Sequence, residues 1–272
     1  MSLIFKEEGH LYESIDPNEM IEWTSVTSLI SKFKPKFDAY AISTKCAKNK
    51  KSKWYGLEPQ QIRDIWGSET QRAIELGSFY HAQRESDLLA CDTLNRDGVD
   101  LPIIQIKVQD GIKYAPNQKL IAGIYPEHMV YLKSAGVCGQ ADYVDVVNGV
   151  VNIMDYKTNK EIKTESFVDW DGVIAKLNPP LGHIDDCNLQ HYTLQMSVYM
   201  YIILKHNPGL KPGKMTLQHV IFEKEGEDKY GYPITAYADN GDPIVKEIVK
   251  YEVPYLKEEV MTMINWLKDN KQ

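Results

Sequence analysis

Two extended runs, Val137 to Val147 and Val150 to Thr158, flank Asn148-Gly149 and bring together the residues best suited to chemistry. Asn-Gly is the preferred pair for a two-residue type I′ hairpin, and both runs are rich in β-branched residues. With that turn, Val147 pairs with Val150, and Asp142 faces Asp155 at the far end of the ladder. Alternation places Val144, Val146, Val151 and Ile153 on the same face as an apolar patch for a core, and Lys157 projects two residues beyond Asp155. Like charges opposed across two strands destabilise a sheet, and an unneutralised carboxylate pair beside a core costs more still. A divalent cation, Mg²⁺ or Mn²⁺, offsets that charge, because hard cations take carboxylate oxygens and keep open positions for water and phosphate oxygens. Lys157 beside them would orient an attacking water or stabilise charge developing on phosphate. On the hairpin alone a second account stays open: Asp142 and Asp155 are solvated strand ends and Lys157 is their salt-bridge partner.

These residues need elements to hold them. Loose alternation of Phe5, His10, Tyr12 and Ile15 suits a short N-terminal hairpin, and Ser25 offers an N-cap for a helix through Ser31. Pro59, a good first-turn residue, opens a helical region in which Ile62, Ile65, Trp66, Ala73, Ile74 and Leu76 suit one or two helices. Gly77 inside that pattern costs about 1 kcal/mol against Ala and calls for a packing or functional reason. Residues 92–118 read as a loop-rich insertion. Leu120 to Tyr125 and Glu127 to Lys133 read as strands, with Glu127 opening the second. Residues 161–186, with Pro179-Pro180 and Gly182, read as a loop over one end of the sheet. Asn188 to His206 is an amphipathic helix, Met215 to Phe222 a strand, and Tyr255 to Lys268 a closing helix.

At 272 residues, 43% apolar and 25% charged, the chain has globular values that exclude a collagenous, low-complexity or largely disordered protein. One domain spanning 1–272 is expected, with 1–58 as an N-terminal extension. The longest apolar stretch, Leu194 to Leu204, is too short for a bilayer, so no membrane partner is expected. Cys46, Cys91, Cys138 and Cys187 stand far apart with no C-x-x-C pair, which favours free thiols in a reducing cytoplasm. The formal charge of −7 argues against a broad basic platform for duplex DNA. Yet the charge is segregated: eight lysines against Asp38 between Lys32 and Lys53 make that segment +7 and the remainder −14. Phe33, Phe37, Tyr40, Trp54 and Tyr55 interleave it. Phosphates need cations and unpaired bases need flat partners, so Lys45, Lys48, Lys50, Lys51 and Lys53 running into Trp54 and Tyr55 suit a threaded single strand. Solvation of a lysine-rich loop is the plain alternative.

Asp142, then Asp155-Tyr156-Lys157, resembles the D…(D/E)-x-K signature of the PD-(D/E)XK nuclease superfamily. Gly139-x-x-Asp142 followed by Asp155-Tyr-Lys-Thr158 resembles its RecB-like exonuclease branch more narrowly. Gly77-Ser-Phe-Tyr-His81 resembles the branch's G-x-x-x-H helix, and Gln195-x-x-x-Tyr199 its Q-x-x-x-Y helix, in the same order along the chain. The likeness spans about residues 75–205, and the basic segment is more loosely similar to phage-type and mitochondrial genome-maintenance exonucleases. The resemblance implies an α/β restriction-endonuclease-like core, a mixed central β-sheet flanked by helices. It implies metal-dependent hydrolysis of DNA, most naturally from single-stranded ends, with a helicase or recombination partner. His81, Asp142, Asp155 and the carbonyl of Tyr156 would hold Mg²⁺ or Mn²⁺, with Glu127 as an additional acid and Lys157 positioning the water. Gln195 and Tyr199 would contact Lys157 or the DNA backbone, and Glu85 would be structural. Taken alone, His81 is equally a hydrogen-bonded helix histidine and Tyr199 a core residue. Some branch members carry a four-cysteine iron–sulfur cluster; without clustered cysteines none is expected here. An endonuclease with the same centre, an inactive DNA-binding or recruitment module of the same fold, and a nucleotide phosphohydrolase are the alternatives.

Overall fold

A computed structural model describes residues 3–6, 9, 11–168 and 171–270. β1 (Leu3–Lys6) and β2 (Leu11–Ser14) form the N-terminal hairpin, although His10 lies outside the described residues. The two-residue β3 (Thr24–Ser25) leads into α1 (Val26–Ser31), whose N-cap Ser25 accepts the Ser28 N–H, as its position before an apolar turn requires. α2 (Ala39–Lys48) carries part of the basic segment behind the N-cap Asp38. α3 (Pro59–Leu89) is one continuous helix of 31 residues, begun by a reciprocal Glu58–Gln61 capping box with Pro59 in its first turn. Only part of its apolar pattern reaches a core: Ile62 and Tyr80 are buried, while Ala73 and Ile74 face solvent.

The 92–118 segment is not loop-rich but holds four short strands. β4 (Thr93–Arg96) pairs with β5 (Val99–Pro102), and β6 (Lys107–Gln109) with β7 (Ile112–Tyr114), whose other edge takes β1. Both hairpins turn through positive-φ Asp-Gly pairs, Asp97-Gly98 and Asp110-Gly111. Their strands are three or four residues long and alternate weakly, which is why the pattern did not register.

The central sheet is built on β8 (Gly123–Leu132), β9 (Val137–Val147) and β10 (Val150–Lys157). The β9–β10 turn is at Asn148 and Gly149, both at positive φ, and the register is Val147↔Val150 through Tyr143↔Met154. The ladder therefore stops one pair short of Asp142 and Asp155. β8 is one strand rather than two, and Glu127 sits within it, not at its start. α4 (Asn188–His206) matches its expected limits. β11 (Lys211–Phe222) runs parallel to β10, and β12 (Lys224–Glu227) pairs with β13 (Pro233–Thr235). β14 (Val245–Val253), unassigned from the sequence because Lys246, Glu247, Lys250 and Glu252 break its alternation, forms the sheet edge against β11. α5 (Lys257–Asn270) closes the chain.

The structure is thus mixed α/β, with sheet order β14-β11-β10-β9-β3, β8 on the other edge of β9, and helices packed alongside. The main core gathers Val144, Val146, Val151 and Ile153 with α4, α5 and α1, and Leu177, Leu181 and Ile184 from the 161–186 loop. Among the described residues no helix is long and apolar enough to cross a membrane.

Candidate metal centre

β9 and β10 diverge where the chemistry-bearing residues lie. β10 stays on β11 as far as Lys157↔His219, but its contact with β9 ends at Met154. β8 lines the other edge of β9, so β3 at Val137 and Cys138 shares an edge with β10. Gly139 to Asp142 lie in the notch between them. The freed Tyr156 N–H is taken by Asp142 Oδ2 at 2.7 Å, a side chain standing in for the missing strand neighbour.

Two further groups enter from distant elements. His81 on α3 points Nδ1 at Asp142 Oδ1 (3.5 Å) and Glu127 Oε1 (3.7 Å), and its Nε2 lies 3.2 Å from the Tyr156 carbonyl. With Nε2–H donating to that carbonyl, Nδ1 is the nitrogen turned to the acids. Glu127 reaches the site because its backbone sits at φ +46°, a left-handed conformation unusual for a glutamate inside a strand. Gln140 Nε2 donates to Glu127 Oε2 at 2.7 Å and leaves Oε1 toward His81. Donor atoms of His81, Glu127 and Asp142 all lie within 4.8 Å of one another.

Asp155 is not in that trio. It is 1% exposed and ion-paired with Lys157, whose ammonium lies 4.9 Å from the Tyr192 ring centroid. Burial and the neighbouring Asp142 push the Asp155 carboxyl up to about 6 despite Lys157. Burial opposes ionisation of Asp142 too, but His81, Lys157 and the Tyr156 N–H outweigh it and hold that carboxyl below its usual range. Burial raises Glu127. Burial alone would make His81 easier to deprotonate; Asp142 and Glu127 reverse this and raise it to about 10. Lys157 is likewise kept charged, Asp155 and Asp142 overcoming its burial.

The glycines have packing reasons. A Cβ on Gly77 would stand 3.1 Å from Thr158 Oγ1, so its absence lets α3 approach the end of β10 and deliver His81 one turn later. A Cβ on Gly139 would stand 2.8 Å from Tyr199 Cε1. Tyr199 is buried against the sheet, burial raises its phenol well above its usual value, and Gln195 Nε2 donates to its hydroxyl at 2.9 Å. Gln195 and Tyr199 therefore engage each other, and Tyr192 is the α4 residue against Lys157. Sequence reasoning missed Gln140 and Tyr192. Gln140 was visible as a residue two before Asp142 and so on its face of the strand; Tyr192 lies only one turn before Gln195 but outside the motif.

The basic segment divides in two. Lys45, Lys48, Lys50 and Lys51 are exposed. Lys53 is exposed as well, but its ammonium donates to the Tyr230 carbonyl at 2.6 Å and lies over the rings of Trp54 and Tyr232. Trp54 is buried among Trp66, Tyr230 and Tyr232 and cannot stack a base as expected. Tyr55 is 52% exposed, and Phe37 and Tyr40 beside the same lysines are more so, at 68% and 71%.

No family model matches this chain, and no curated protein matches it. Three solved chains match. One, described as "Crystal structure of SSO0001", is 12% identical with a TM-score of 0.33 over 92% of this chain and 76% of that one, a likeness too slight to speak to fold or chemistry.

Proposed function

We propose that the protein is a Mg²⁺- or Mn²⁺-dependent deoxyribonuclease of the PD-(D/E)XK, RecB-like type that hydrolyses phosphodiester bonds from single-stranded ends. The observation that carries the reading is the convergence of His81 Nδ1, Glu127 and Asp142 beside a buried Asp155–Lys157 pair at the fork between β9 and β10. One imidazole and two carboxylates suit a hard divalent cation, and three carboxylates around two cationic side chains leave the site with negative charge to offset. His81, Glu127 and Asp142 would hold the ion, with Asp155 able to join from the adjoining strand end. Bound there, it supplies Lewis-acid polarisation of a phosphate oxygen and a lowered pKa for water.

The remaining roles belong to the chain. The Tyr156 carbonyl fixes the His81 tautomer, and Gln140 aims Glu127. Lys157, kept protonated by Asp155, stabilises negative charge building on the phosphate rather than accepting a proton. The exposed Lys45, Lys48, Lys50 and Lys51 attract the backbone of the incoming strand.

The test is digestion of end-labelled linear and circular single strands with Mg²⁺, with Mn²⁺ and with EDTA. Linear strands should be degraded only with metal, circles should survive, and Asp142→Ala should be inert. Cutting in EDTA, or by Asp142→Ala, overturns the centre. Rapid cutting of circles replaces the exonuclease with an endonuclease.

A further inference from the structure

A cleft of about 400 Å³ opens beyond the end of β10, between the middle of α3 and the β12–β13 hairpin. We infer that it receives one unstacked base of the strand whose phosphate lies at the metal centre. The inference rests on the nuclease reading and adds to it a base-binding subsite.

Position is the first argument. Thr158 and Asn159, in the cleft wall, directly follow Lys157, and Leu76 lies five residues before His81 on α3. Five helical residues span about 7.5 Å, roughly two phosphate steps of a stacked strand. The occupant is therefore attached one or two nucleotides from the scissile phosphate.

The walls are the second. Trp66, Phe222 and Tyr232 present aromatic surface and Leu76 adds apolar area, which suits a flat, weakly hydrated ring. Thr158 and Asn159 add polar side chains to the wall, and because Asn159 Oδ1 accepts from the Tyr192 hydroxyl at 2.8 Å, its amide N–H donors are the part of that carboxamide left for the polar edge of a base. The volume lies within the usual range for a small-molecule site.

Charge is the third. Of the acids in the lining, Glu69 is bound to Arg72 at 2.7 Å and Glu223 faces Lys246 at 3.9 Å. Lys160 and Lys224 are exposed lining residues; Lys160 Nζ donates to the Gly231 carbonyl at 3.1 Å and keeps its charge, and among the described residues Lys224 has no acidic partner. An apolar slot with cations at its rim complements a base joined to phosphates better than an uncharged apolar ligand. The entrance is continuous with the basic segment: the Trp66 ring is 6.0 Å from exposed Phe37 and 6.2 Å from Trp54, the residue after Lys53.

The experiment measures binding of single strands of roughly ten nucleotides in EDTA, each carrying one abasic position, to the full chain and to Ala73→Trp. Ala73 is exposed and lines the cleft from α3, so the indole enters open space without disturbing the core. Thr235→Trp fills the cleft from the opposite wall as a second variant. One abasic position near the scissile phosphate should weaken binding about tenfold, the others less than about twofold. Ala73→Trp should bind the intact strand about tenfold more weakly, ignore that abasic position, and keep wild-type Mn²⁺ affinity by calorimetry. Equal sensitivity at every position, or wild-type discrimination in both filled variants, overturns the base site while metal-dependent cutting leaves the nuclease reading standing. Absence of both strand binding and cutting overturns both.

Discussion

His81 is a protonated histidine in the metal-free protein and would have to be neutral to ligate, so metal and proton compete at Nδ1. Its pKa is raised from 6.5 to about 10 by Asp142 and Glu127. Metal binding should therefore release one proton across the neutral range, and Mn²⁺ affinity should rise about tenfold per pH unit between pH 7 and 9. Calorimetry in buffers of different ionisation enthalpy reads the proton directly; a pH-independent affinity would exclude His81 as a ligand. Asp142 carries a second role that its charge alone conceals. Removing a mutually repelling carboxylate would stabilise a metal-free fold, but Asp142 also accepts the buried Tyr156 N–H and partners His81. Orphaning that donor costs about 1–3 kcal/mol. Asp142→Ala should thus unfold earlier than wild type in EDTA, and equal melting temperatures would show the cap to be dispensable. If Lys157 acts as proposed, Lys157→Ala should keep strand affinity and lose roughly 100-fold or more in turnover, because on that reading the ammonium stabilises charge that develops only during reaction. Matched losses in both would make Lys157 a phosphate anchor.

At the scale of elements, the site is a meeting of one helix, one strand interior and the fork between two strands. α3 delivers His81 through a close approach at Gly77, β8 delivers Glu127 through a left-handed residue, and the parting of β9 from β10 frees the Tyr156 N–H that the buried Asp142 accepts, beside the equally buried Asp155. α4 is pressed onto β9 at Gly139, where a methyl group would collide with Tyr199 and stand 3.0 Å from Val26 Cγ2. Overpacking of this kind costs about 1–3 kcal/mol. Gly139→Ala is expected to lower the unfolding free energy by that amount, read as a lower urea midpoint at unchanged m-value, and to weaken metal binding through Asp142 and Gln140 on the same strand. A midpoint within error of wild type would mean that α4 can slide at no cost.

Across the whole molecule, an acidic protein concentrates its positive charge on one segment, and only part of that segment is available to a ligand. Changing Lys45, Lys48, Lys50 and Lys51 to Gln together should flatten the salt dependence of strand binding by about 0.7 log unit per lost contact and leave saturated turnover nearly unchanged. Lys53→Gln should behave differently. Lys53 ties the end of the basic segment to the Tyr230 turn 177 residues away, so its loss should lower thermal stability with little effect on the salt slope. If all five lysines proved equivalent in the salt titration, that division would be wrong.

What the sequence determined on its own was local. Asn148-Gly149 set the hairpin register, alternation set its apolar face, and Ser25, Pro59 and the periodicity of 188–206 set three helices, because turn dihedrals, caps and side-chain spacing act within a few residues. That was enough to bring Asp142, Asp155 and Lys157 to one strand end. Short hairpins at 93–114 and the charged edge strand β14 escaped because alternation over so few or such polar residues carries little signal. The rest belonged to tertiary structure. That Glu127 and His81 meet Asp142 while Asp155 turns to Lys157 depends on a strand kink and a helix crossing between segments far apart in sequence. Exposed Lys53 and buried Trp54 look in the sequence like the residues around them. Only the arrival of Tyr230 and Tyr232 ties Lys53 to a distant turn and buries Trp54, since a tertiary contact is a property of the partner that arrives and not of the residue that waits.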